Sequence, residues 1–180
     1  MAELIAPDAR VRESFLAAMA EFQAEGRGRP GDGTMIGEDI RSLLSGEDFA
    51  GYVARIRAEA LEETPRRPGW VPCTTLWLVE GDEYLGRIAI RHRLTPALQR
   101  LGGHIGYDVR RSARRRGYAT AMLRDALPVA HRLGIDPALL TCDPDNTASR
   151  KVIEHNGGVL QDELDGKLRY RVPTGQPADG

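Results

Sequence analysis

His104–Leu123 reads HIGYDVRRSARRRGYATAML and changes character twice. Its opening residues are β-rich and predict a strand over Gly103–Val109. Five arginines follow between Arg110 and Arg116. From there Ala119, Met122, Leu123, Ala126, Ala130 and Leu133 recur at helical spacing, predicting a helix from Arg115 to Leu133. Gly134 stops it and Pro137 forbids continuation. Pro128 lies inside that helix; a mid-helix proline costs about 3 kcal/mol, so a kink near Arg124 or a helix in two parts is expected. A strand leading through a basic turn into a helix start suits a phosphate, because the first helical N–H groups are unpaired and carry partial positive charge. Gly117 lets an anion approach the backbone, Ala119 keeps the wall low, and Arg114, Arg115 and Arg116 add charge-assisted contacts.

Upstream, Thr74–Glu80 and Tyr84–Arg91 read as strands joined by a Gly81-Asp82 turn, with a polar loop before Gly103. Downstream come a strand over Ala138–Cys142 and a helix from Asp145 or Asn146 to Asn156-Gly157-Gly158. Val159-Leu160 and Lys167–Val172 close the fold around Asp165-Gly166. Nearer the N-terminus, Leu4-Ile5-Ala6 precedes a helix capped by Asp8 that carries Val11, Phe15, Leu16, Met19 and Phe22 on one face. Gly26–Gly33 lacks the lysine and Ser/Thr of a phosphate loop and reads as a flexible substrate-side loop. A further helix spans Asp48 to Glu63. The order β-α-α-β-β-β-α-β-α-β-β predicts one α/β domain over 1–172, a mixed sheet with helices on both faces, and a disordered tail over 173–180.

With 180 residues, 41% hydrophobic and 28% charged, the chain can bury a core of its own. Its net charge of −1 argues for neither a nucleic acid nor a membrane partner. Charge is unevenly placed: Ala20–Glu63 holds ten acids and five bases, Gly86–Gly134 eleven arginines and two aspartates. That asymmetry suits an anionic ligand in the middle, and a cationic one drawn by Glu25, Asp32, Glu38 and Asp39. Cys73 and Cys142 have no metal or disulfide spacing, so no metal is expected. No apolar run approaches the ~18 residues of a membrane span, and MAELIAPDAR lacks the pattern of a signal peptide, so a cytoplasmic protein is expected. Phe49, Tyr52, Trp70 and Trp77 are candidate pocket walls that core packing explains equally well.

Val109, Arg114, Gly117 and Ala119 match V-x(4)-[QR]-x-x-G-x-[GA], and the chain here resembles the GNAT superfamily of N-acyltransferases. Thr141–Ser149 and Glu154–Gly158 are similar to the strand, N-x-x-[AS] helix start and glycine corner that close such domains. The likeness is specific over Gly102–Leu160 and looser before Pro68. It implies a mostly antiparallel sheet of about seven strands with helices on both faces, and transfer of an acetyl group from acetyl-coenzyme A to an amine in a ternary complex. The acceptor would be a small-molecule amine or a protein amine; the resemblance leaves a homodimer open. By position, the backbone of Val109, Arg110 and Arg111 would meet the pantetheine arm, the Val109 N–H would polarise the thioester carbonyl, and Arg114, Arg115, Arg116, Gly117, Tyr118, Ala119 and Thr120 would hold the pyrophosphate. Asn146 would bond the pantetheine or a nearby backbone group, with Ser149 beside it. A bulge near Val109 would free the strand edge.

The tyrosine that many members carry seven residues past the Asn is Ile153 here, leaving Tyr107 or Tyr170 as substitute acids. His104 holds the position where some relatives place a base, and its ordinary titration range fits that task. Two rival functions remain at this stage: a coenzyme A sensor without turnover, and a nucleic-acid module built on the arginines.

Overall fold

The computed structural model describes residues 1–175. The hairpin around Gly81-Asp82 forms from β2 (Cys73–Glu80) and β3 (Glu83–Arg91). β1 (Glu3–Ile5) adds antiparallel to β2, and β4 (Ile105–Val109) adds antiparallel to β3, giving a four-stranded sheet in the order β1-β2-β3-β4. β5 (Ala138–Cys142), β6 (Val159–Leu164) and β7 (Lys167–Val172) make a second antiparallel sheet in the order β5-β7-β6. The seven strands thus divide into four and three, where one continuous sheet was expected.

Helices cover both faces. α1 (Arg12–Ala24), α2 (Met35–Leu44) and α3 (Phe49–Ala58) bury Phe15, Phe22, Ile36, Ile40, Phe49 and Tyr52 against Trp77, Val79 and Tyr84. Phe15 stacks on Trp77 at 4.7 Å, so three of the four aromatic residues considered as pocket walls are core. α2 occupies a stretch between the Gly-rich loop and Asp48 for which the sequence predicts no element. Thr34 caps it by accepting from Gly37 N, while Ile36, Ile40 and Leu43 supply an apolar stripe at helical spacing. α4 (Pro96–Arg100) is one short turn, capped by Thr95, within the expected polar loop.

α5 (Tyr118–Arg132) and α6 (Thr147–His155) lie on the opposite face, where Met122, Leu123, Ala126 and Ile153 pack on Leu78, Ile88, Ile90 and Leu140. α5 runs through Pro128 as one helix, not in two parts. The carbonyl that Pro128 leaves unserved belongs to exposed Arg124, where water can bond it, and buried residues on both sides of the proline hold the helix on the sheet.

The Gly-rich loop is wired rather than loose. Asp32 accepts from Gly28 N and Thr34 N, and Arg41 donates to the carbonyls of Arg29 and Asp32. At the C-terminus Thr174 is buried and donates to the Ile135 carbonyl, so the chain is ordered past the expected boundary at 172; residues 176–180 of the predicted tail lie outside the described residues. Among the described residues no helix is long and apolar enough to cross a membrane.

Candidate active site

Two hydrogen bonds fix which edge of β4 is free. Arg91 N donates to the His104 carbonyl at 2.7 Å and Arg110 N to the Leu85 carbonyl at 2.9 Å. Even-numbered residues of β4 therefore face β3, and by alternation Ile105, Tyr107 and Val109 turn their backbone groups to the other edge. That edge meets β5 only at its start, where His104 N donates to the Leu139 carbonyl and Leu139 N donates to His104 Nδ1, at 2.8 and 2.9 Å. Beyond this joint the two strands share no ladder. The expected bulge near Val109 is absent, since the β3–β4 register is unbroken from Gly86–Val109 to Ile90–Ile105. Divergence of the strands, not a bulge, frees the Val109 N–H.

Between the strands lies a slot of about 250 Å³, lined among others by Tyr107, Leu140, Cys142, Asn146, Ser149 and Ile153. Tyr107 Oη is 2.8 Å from Ser149 Oγ, and burial pushes the phenol up to about 12. Asn146 caps α6 by accepting from Ser149 N at 3.1 Å. Ile153 is buried, as is Tyr170, whose hydroxyl donates to Glu154; neither presents a hydroxyl in the slot.

Past Val109 the chain turns through Arg111–Ala113 and enters α5. Arg115 (φ 64) and Gly117 (φ 78) both adopt the left-handed conformation, and Gly117 caps α5 without a side-chain bond. Consequently the N–H groups of Arg115, Arg116, Gly117, Tyr118, Ala119 and Thr120 have no acceptor among the described residues, and Ala121 N is the first to bond back, to Gly117. Successive amides bent by left-handed residues form a concave anion cradle, with the helix end adding positive potential.

The arginines divide by role. Arg111, Arg115 and Arg116 are exposed. Arg114 is held by Glu25 through a two-pronged pair at 2.7 and 2.9 Å, and its Nε donates to the Val109 carbonyl. Arg110, expected to contact cofactor, is buried and turned to the opposite face, where Glu21, Ser14 and the Tyr84 carbonyl take its donors. Its backbone is taken as well, the N–H by the Leu85 carbonyl and the carbonyl by Ala113 N. His104 Nδ1 serves the joint, and burial, then Arg171 and Arg91, lower its pKa.

One residue that the sequence reading passed over stands out. Asp108 lies opposite Arg87 on the α1–α3 face of the sheet, next to the Val109 N–H. Burial raises its pKa against the pull of Arg27, whose Nη1 is 3.3 Å away. Strand alternation placed it on the face away from the slot, but no local motif marks it.

A family model described as an acetyltransferase (GNAT) domain matches residues 37–159. No curated protein matches the chain. Among solved structures, Mycobacterium smegmatis RimJ in complex with CoA-disulfide superposes with a TM-score of 0.64 at 22% identity, covering 96% of this chain and 81% of that one. PaiA N-acetyltransferase from Thermoplasma acidophilum in complex with coenzyme A gives 0.60 at 12% identity, over 96% and 99% of the two chains. The Salmonella typhimurium acetyltransferase that modifies the N-terminal serine of ribosomal protein L7/L12 gives 0.57 at 16%, over 94% and 92%. At these identities the superpositions speak to the fold, which agrees with what the slot, the cradle and the family match indicate. The chain belongs to the GNAT acetyltransferase family.

Proposed function

We propose that this chain is a cytoplasmic N-acetyltransferase in which residues 1–172 act as one catalytic unit, moving an acetyl group from acetyl-coenzyme A to the primary amine of a small molecule. The observation that carries the reading is the unpaired edge of β4 opening directly onto six orphan amides. The coenzyme A named in the RimJ and PaiA structures supports the choice of donor.

Acetyl-coenzyme A supplies an acyl group already activated as a thioester, so the protein's part is positioning and charge. The amides from Arg115 to Thr120 hold the pyrophosphate, with exposed Arg115 and Arg116 beside it. The edge of β4 and the Asn146–Ser149 wall align the pantetheine arm. The Val109 N–H, on the unpaired edge of β4, stabilises negative charge growing on the carbonyl oxygen, a contribution commonly worth about 3 kcal/mol. Asp108, on the acceptor face beside it, takes the proton from the attacking amine, replacing His104 in that role. Tyr107, bonded to Ser149, returns a proton to the departing thiolate. The Salmonella relative's protein substrate favours a protein amine as the second reading.

Titration calorimetry with acetyl-coenzyme A on the wild type and an Ala119→Glu variant tests this. A glutamate in the first turn favours the helix while its charge and bulk occupy the cradle. Binding by wild type and its loss in a variant of unchanged melting temperature is expected. Absence of binding by wild type would overturn the reading.

A further inference from the structure

A larger cavity, about 810 Å³, opens on the α1–α3 side of the sheet between α2, α3, the 64–73 segment, β3 and α4. Its wall carries Arg41, Arg55, Arg66, Arg67, Arg87 and Arg91 against three carboxylates, Glu38, Asp39 and Glu59. The acidic residues expected to attract a cationic ligand are already engaged: Asp39 by Arg87, Glu38 by Arg41, Glu25 by Arg114, and Asp32 by its own loop. The wall is therefore cationic, with six arginines against three carboxylates, and the carboxylates expected to draw a cationic amine are paired.

Arg91 is the telling member. Its Nη1 donates to the carbonyls of Gly102 and Gly103, each at 3.2 Å. Its Nε and Nη2, the edge that grips a carboxylate side-on, have no acceptor among the described residues, and no carboxylate there lies within salt-bridge distance. A half-buried guanidinium without a counter-ion, its free edge on a cavity rich in arginine, is a ready seat for an incoming anion. Its position ties it to the reaction, because a Cβ built on Gly106 would stand 4.0 Å from Nη1. Gly106 and Asp108 share that face of β4.

Building on the acetyltransferase reading, we infer that the acceptor is a small amine that also carries a carboxylate or a phosphate, seated on the Nε–Nη2 edge of Arg91. Arg67, stacked on exposed Trp70 at 5.0 Å and only loosely paired with Glu38, sits at the rim as a second cation for a doubly charged acid group. A carboxylate fits the single fork of Arg91, whereas a phosphate would also draw on Arg67.

Thiol release from acetyl-coenzyme A is measured with matched amines: α-amino acids against their amides, and phosphoethanolamine against ethanolamine. The anionic member of a pair should be favoured about ten- to a hundredfold in kcat/KM, as a charge-assisted fork provides. Arg91→Gln should abolish that preference while leaving acetyl-coenzyme A affinity unchanged, and Arg67→Gln should weaken phosphate more than carboxylate. In parallel, saturation-transfer NMR on the coenzyme A-loaded protein follows the N-acetyl products and their neutral counterparts, a readout independent of turnover. The inference is overturned if neutral or polycationic amines are acetylated as well as anionic ones. It is overturned equally if Arg91→Gln keeps the preference, or if no anionic product binds at millimolar concentration. Loss of acetyl-coenzyme A binding by wild type would instead strike the acetyltransferase reading itself.

Discussion

Glu21 reaches from α1 to Arg110 at the end of β4, accepting from Nε at 3.0 Å and Nη2 at 2.6 Å, and also accepts from the backbone and hydroxyl of Ser112. Burial raises the Glu21 carboxyl, but Arg110 and Ser112 outweigh it and hold the group down at about 2. A carboxylate depressed in the folded state contributes stability that is complete above its unfolded pKa of about 4.3 and is lost as pH falls toward about 2. Glu21→Gln leaves buried Arg110 short of a counter-charge and should cost about 2–3 kcal/mol, lowering the melting temperature by roughly 5–10 °C near neutral pH. Thermal denaturation at pH 7 and pH 2.5 should show the difference shrinking at the lower pH. An equal gap at both would remove the ion pair from the account.

Asp108 accepts a proton only when ionised. With its pKa raised by burial, kcat/KM should climb with pH along a limb displaced above the usual aspartate range. Arg27→Met removes the neighbouring positive charge that lowers it, so the limb should move to higher pH. Asp108→Asn should reduce turnover at least about a hundredfold, in line with the usual worth of a general base. Turnover retained within a few-fold by the asparagine would end its candidacy.

Tyr107 stays protonated across any practical assay range, since burial pushes it to about 12. Tyr107→Phe should therefore lower kcat with little change in the Michaelis constant for acetyl-coenzyme A, and the wild-type profile should have no descending limb below about pH 11 from this group. A variant with full turnover would show that the thiolate departs without its help.

His104 joins the two sheets. His104→Ala strips the acceptor from Leu139 N and should cost about 1–3 kcal/mol in chemical denaturation, while turnover of the folded enzyme stays within about twofold. A collapse of turnover with unchanged stability would return the histidine to the chemistry.

The stretch from β4 into α5 was legible because it is local. Strand, arginine turn, Gly117 and helix lie in one stretch, and each step has a backbone cause that a period or a glycine reveals. The acceptor half was not. Arg87 and Arg91 look like ordinary strand residues until the register with β4 puts Arg87 opposite Asp108 and the Arg91 guanidinium reaches over Gly106, and α2 hid because Gly37 interrupts a stripe carried by Ile36, Ile40 and Leu43. The roles of Arg110 and Arg114 depended on partners 89 residues away, a pairing that no spacing rule reaches. Pro128 does not divide α5, because buried residues on both sides of it hold the helix to the sheet.

α1 has a consequence for how such an enzyme can change. Through Glu21 and the Glu25 that caps its end it anchors the arginine turn that leads into the cradle, and two residues further on Arg27 reaches Asp108. The segment that evolution must rewrite to admit a new acceptor is thus the same one that steadies the donor turn. New specificities cannot be acquired by exchanging the first third of the chain as a cassette; Glu21 and Glu25 must travel with it or find replacements, so drift in substrate range proceeds under a tether to the ancestral cofactor.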